Sequence, residues 1–206
     1  MVKNFEPGAR QSSNRKQKKK VHVYFLLDES GSMKARQAET IACFNEFIQR
    51  QQRLQQEKNV KIQFSLTTFN SDGVRHRYVD KNVRKVVPLN EAAYQPHALT
   101  PLCDVVHDSI RALGKRKNVL FVILTDGLEN ASGHARLAQL RSLIREKERL
   151  GWTFQYLGVD VYEFSDARTT KAKQLYLARN IHAAFSRAYF KLRKIIAAYT
   201  ADSSAA

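Results

Sequence analysis

Cysteine is nearly absent from this 206-residue chain: there are only Cys43 and Cys103. Both fall in stretches with helical spacing, without a C-x-x-C pair or a partnering histidine. That excludes a disulfide framework and a zinc site, and it points to two reduced, buried thiols. Proline (four) and glycine (eight) are equally sparse, which rules out collagen-like and proline-rich low-complexity chains, while a 43% hydrophobic content is ample for a folded core. No apolar run approaches the roughly 20 residues needed to cross a bilayer, so no membrane contact is expected. Lys18-Lys19-Lys20 followed by Val21 to Leu27 copies the start of a signal peptide, but His22 interrupts the run and it leads straight into Asp28. A cytoplasmic setting is the expectation. There is no Walker loop and no G-x-G-x-x-G, so nucleotide binding has no support.

Acidic residues are also scarce, 19 against 35 Lys and Arg, for a formal charge of +16. The imbalance is concentrated at the ends. Residues 1–20 carry seven cations against Glu6 alone, residues 167–201 carry eight against no acid, and the chain between is nearly balanced. Such a charge speaks of solubility and of polyanionic partners, not of fold. Lys16, Lys18, Lys19 and Lys20 form one cluster; Arg187, Lys191 and Lys194 recur at helical spacing. These are the candidate nucleic-acid contacts, with a solvated tail and helix face as the plain alternative. Residues 1–20 have almost no large apolar side chains and read as a disordered tail, 21–200 as one domain with a basic C-terminal helix, and 201–206 as a disordered end.

Val21 to Leu27 and Val119 to Thr125 are apolar on both faces, as in central strands of a parallel sheet. Lys61 to Phe69 and Trp152 to Val159 are further strands, and Val74 to Val87 reads as a weaker edge hairpin or pair of edge strands. Trp152 and Phe154 alternate within their strand and read as core. Between the strands lie helical stripes: Ile41, Phe44, Phe47, Ile48 and Leu54; Leu102, Val105, Val106, Ile110 and Leu113; Leu137, Leu140, Leu143 and Ile144. A last helix spans about Arg187 to Tyr199. Alternation of this kind predicts an α/β fold with a doubly wound, mostly parallel central sheet flanked by helices and carrying one antiparallel edge. Ligands of such sheets bind outside the carboxyl ends of the strands, where Asp28 and Asp126 stand.

Directly after the first strand comes Asp28-Glu29-Ser30-Gly31-Ser32. Alternate side chains of an extended turn point the same way, so Asp28, Ser30 and Ser32 can converge while Glu29 points away. One carboxylate and two hydroxyls suit a hard cation such as Mg²⁺ or Mn²⁺. Taken alone, the same residues serve equally well as a helix-capping or Asx-turn loop. Leu99-Thr100-Pro101 before a helix and Thr125-Asp126-Gly127 after a buried strand add a hydroxyl and a second carboxylate. The six histidines, His22, His76, His97, His107, His134 and His182, show no ligand spacing.

The order D-x-S-x-S, loop Thr, T-D-G over residues 21 to about 160 resembles the metal-ion-dependent adhesion site of von Willebrand factor A domains. Thr125 to Ser132 and Gly151-Trp152-Thr153-Phe154 also look like a group of small bacterial and phage proteins of this type. The resemblance implies a Rossmann-like fold. It further implies that Ser30, Ser32 and Thr100 supply hydroxyls and that Asp28 and Asp126 hold the ion, often through water. The ion would be Mg²⁺, with Mn²⁺ and Ca²⁺ as alternatives. An acidic side chain on a protein partner would complete its coordination. Function then reads as a metal-dependent protein interaction module, not an enzyme. The alternatives are a nucleic-acid-binding accessory protein and, less favoured, a metal-dependent hydrolase, for which Glu29 or Glu129 would have to be the base.

Overall fold

The computed structural model describes residues 20–126, 134–158 and 181–201. Strand β1, Lys20–Asp28, is buried at every position from Val23 to Asp28 because it lies in the middle of the sheet, covered by helices on both faces. It pairs in parallel with β2, Lys61–Asn70, on one side and with β4, Val119–Thr125, on the other. Beyond β2 runs the antiparallel edge strand β3, Gly73–Asn82; beyond β4 runs the parallel β5, Thr153–Gly158. The order is β3-β2-β1-β4-β5. The chain therefore winds outward one way from β1 and then, from β4, the other way. The reversal point lies between β1 and β4, and a crevice opens at their carboxyl ends.

Side-chain alternation along β1 sorts residues into two cores. Val21, Val23, Phe25 and Leu27 face helix α1 (Gln37–Glu57) and helix α4 (Ile181–Ala201), with Phe25 against Phe44, Phe47 and Phe185 at 5.5–5.7 Å between ring centres. Tyr24 and Leu26 face helix α2 (Leu102–Leu113), with helix α3 (His134–Arg149) completing the same layer. This is the doubly wound α/β sheet with one antiparallel edge. Cys43 and Cys103 are both buried, one in each layer, on opposite faces of the sheet. Trp152 is core, 3% exposed, stacked on Phe121. No helix among the described residues is long and apolar enough to cross a membrane.

Two elements differ from the sequence reading. Only Gly73–Asn82 of the Val74 to Val87 stretch is strand. At Asn82 the side chain accepts from the Arg84 amide and starts a 3-10 turn, Val83–Lys85. The chain then folds onto α1, where the Asn45 side chain receives the Leu89 amide at 2.7 Å and donates to its carbonyl at 2.9 Å. Helix α4 begins six residues before Arg187, because Phe185 belongs to the apolar stripe that continues through Ala188, Leu192 and Ile196.

Candidate metal centre

Strand β1 delivers Asp28 to the reversal point, fully buried. Its carboxylate is held from two sides: the Ser30 amide donates to Oδ1 at 2.8 Å and the Thr125 hydroxyl to Oδ2 at 2.5 Å. Ser30 is extended (φ −75°, ψ 164°), which aims its hydroxyl away from the strand toward Ser32, 3.2 Å away, at the start of a 3-10 turn. The Ser32 hydroxyl then donates to Asp126 Oδ1 at 2.7 Å, across 94 residues of chain. A hydroxyl that gives its proton to a carboxylate keeps its lone pairs for a cation. Asp28, Ser30, Ser32 and Asp126 are thus one continuous oxygen cluster, with Ser32 exposed and Asp28 and Ser30 beneath it.

Thr100 is buried on a loop clamped to the D-x-S-x-S turn. The Gly31 amide donates to the Ala98 carbonyl at 2.9 Å and the His97 amide to the Glu29 carbonyl at 2.9 Å. A Cβ at position 31 would sit 3.4 Å from that Ala98 oxygen, an ordinary van der Waals contact, so the clamp rests on the backbone hydrogen bonds. Among the described residues the Thr100 hydroxyl has no hydrogen-bond partner.

Burial pushes the Asp28 carboxyl above its ordinary range; its hydrogen bonds from Thr125 and Ser30 oppose this, and the charge of Asp126 adds to it. Two carboxylates in a desolvated crevice repel one another, and a divalent cation removes that cost. The donor set is all hard oxygen. No group of three His, Cys, Asp or Glu gathers anywhere among the described residues, this cluster included, whose donors are two carboxylates and hydroxyls. The residues present therefore fit Mg²⁺ or Mn²⁺ far better than a nitrogen- or sulfur-seeking ion.

Glu29 does point away, as the alternation predicted, and its partners are new. The buried carboxylate accepts from the Gln95 amide at 2.8 Å and pairs with Arg77 at 3.3 Å and Arg75 at 4.0 Å, so it ties the Thr100 loop to β3. Alternating arginines on an edge strand were the only trace of this in the sequence. Tyr94, also unforeseen, donates its hydroxyl to the Asp28 carbonyl at 2.7 Å. Glu129 lies outside the described residues, as do Lys16, Lys18 and Lys19. Lys20 is exposed at the start of β1, the far end of the sheet from Asp28. Arg187 and Lys191 are half-covered and only Lys194 is exposed, so these three do not form an open basic row.

No protein-family model and no curated protein matches the sequence. Solved structures do. The chain is similar to the von Willebrand factor type A protein from Catenulispora acidiphila (TM-score 0.57, 13% identity, 86% of this chain and 43% of that one). It is similar to the manganese-loaded TRAP protein of Plasmodium vivax (0.54, 14%, 86% and 74%). It is also similar to proximal thread matrix protein 1 from the mussel byssus with a zinc-occupied MIDAS motif (0.50, 16%, 89% and 46%). The chain spans less than half the length of the bacterial and mussel proteins. Identities this low carry the fold and nothing further, and together with the β3-β2-β1-β4-β5 sheet they show that this chain has the von Willebrand factor A fold.

Proposed function

We propose that the protein is a divalent-metal-dependent interaction module. Ser30, Ser32 and Thr100 would hold the ion through their hydroxyls, and Asp28 and Asp126 would supply its counter-charge directly or through water. When bound, the ion supplies a Lewis-acidic position for a carboxylate from a protein partner. The observation that carries this reading is the unbroken chain from Asp28 through Ser30 and Ser32 to Asp126 at the sheet's reversal point. Three hydroxyls and two carboxylates leave an octahedral cation short of a full set of protein ligands, and an incoming Asp or Glu can fill the open position. The manganese and zinc named for two similar structures support a divalent ion here; Mg²⁺ is our choice on donor chemistry.

We further propose binding in place of catalysis, in a cytoplasmic setting. Of the two candidate bases, Glu29 is occupied by Arg77 and the Gln95 amide. Calorimetry with Mg²⁺ and Mn²⁺, followed by capture of partners in Mg²⁺ and in chelator, tests the reading. Absence of metal binding at millimolar concentration would overturn it, and metal-dependent phosphoester turnover abolished by Asp126→Ala would replace it with a hydrolase.

A further inference from the structure

The amino ends of the parallel strands, opposite the metal centre, collect cations from four separate stretches of chain. Lys20 opens β1 and lies in register with Lys61, which opens β2. Lys58 caps α1 just before it. On the other side of Lys20, the Asn118 carbonyl accepts from the His22 amide, which places the turn carrying Lys115 and Lys117 at the same end. The Trp152 indole donates to the Arg116 carbonyl at 2.7 Å and the Lys147 ammonium to the Gly114 carbonyl at 2.9 Å, bringing in the end of α3 with Arg149. Lys20, Lys58, Lys115, Lys117 and Arg149 are exposed, Lys61 is half-exposed, and none of the six is paired with a carboxylate among the described residues.

What opposes them is small. Helices α1, α2 and α3 all end here, each contributing about half a negative charge. Of the acids nearby, Asp80 is taken by Arg116 and His22, while Glu57 and Glu148 remain. Six cations therefore outweigh roughly three and a half opposing charges. Six further Lys and Arg lie in residues 1–19, which lead into Lys20.

We infer that this end of the sheet is a binding face for the phosphate backbone of double-stranded nucleic acid, separate from the metal centre. Strand starts about 4.8 Å apart place the row across four strands over about 14 Å, the span of about four phosphates along one strand of a duplex. Recognition is through charge without base reading: Trp152 is core, and among the described residues no exposed aromatic side chain stands with these cations to stack on a base.

Anisotropy of a labelled 20-base-pair duplex with the full chain, in chelator, over a range of salt is the test. Binding should persist without metal, with a slope of log K against log salt near −5, for about six phosphate contacts. The set Lys58→Gln, Lys61→Gln, Lys115→Gln and Lys117→Gln, checked for an unchanged thermal midpoint, should flatten that slope by about 3 to 4 and weaken binding at least about tenfold at 100 mM salt. Asp28→Ala should bind the duplex like the parent chain. No duplex binding at 50 mM salt would overturn the inference, as would unchanged binding by the glutamine set with loss on deleting residues 1–19. Binding of anionic vesicles but not of the duplex would assign the face to membranes instead.

Discussion

At the scale of single residues, Asp28 carries a stability cost that function explains. Its carboxyl is raised by burial, so its folded-state affinity for a proton exceeds the unfolded one. Stability from this group is present at low pH and declines as pH rises through the carboxylate range. In chelator, Asp28→Asn should therefore melt above the parent protein at pH 7, with the two converging below the ordinary value of 3.8. With Mg²⁺ the order should reverse, since only the parent binds the ion and is stabilised by mass action. Thermal melts of both proteins at pH 3 and 7, with and without metal, check this.

Glu29 makes the complementary case. Glu29→Gln keeps the side chain's shape and removes the charge that Arg77 and Arg75 neutralise. The Thr100 loop loses its charged anchor, and metal affinity should fall by about ten- to a hundredfold, the usual effect of loosening what orients a ligand. Calorimetric titration with Mn²⁺ measures it, and an affinity equal to the parent's would show that Glu29 serves the fold alone.

Among the elements, α4 is the one whose packing exceeded its sequence signal. Its stripe of Phe185, Ala188, Leu192 and Ile196 is buried against β1 and α1, with Leu192 fully enclosed. Leu192→Ala should cost about 2–5 kcal/mol by denaturant unfolding, with duplex binding retained below the transition. The central strands and α1 to α3 were legible because an apolar run on both faces, or a stripe at helical spacing, leaves few ways to be buried. Edge strand β3 was less so. One of its faces meets solvent, so Val74 and Val79 remain exposed and no period constrains where the strand stops; Asn82 and its turn decide that.

Across the whole sheet, the described residues are polar in the electrical sense, with carboxylates and hydroxyls at the carboxyl ends of the strands and, at the amino ends, cations that no carboxylate among the described residues pairs. The two ends should act independently: chelator should abolish capture of an acidic protein partner and leave duplex binding intact, and raised salt should do the reverse. One preparation assayed for both suffices to check that. The sequence by itself determined the strand and helix alternation, the two-faced burial of β1 and β4, and the convergence of Asp28, Ser30 and Ser32, because local spacing dictates which side chains share a face; Thr100 and Asp126 joined the candidates through the resemblance to an adhesion site. Only the tertiary structure decided that Ser32 would meet Asp126 across 94 residues, that Glu29 would find two arginines on β3, and that lysines from α1, β1, β2 and the turn before β4 would gather at one end. Those juxtapositions depend on strand order and register. Register is set by how whole hydrophobic faces pack together, and no short stretch of the chain contains that information.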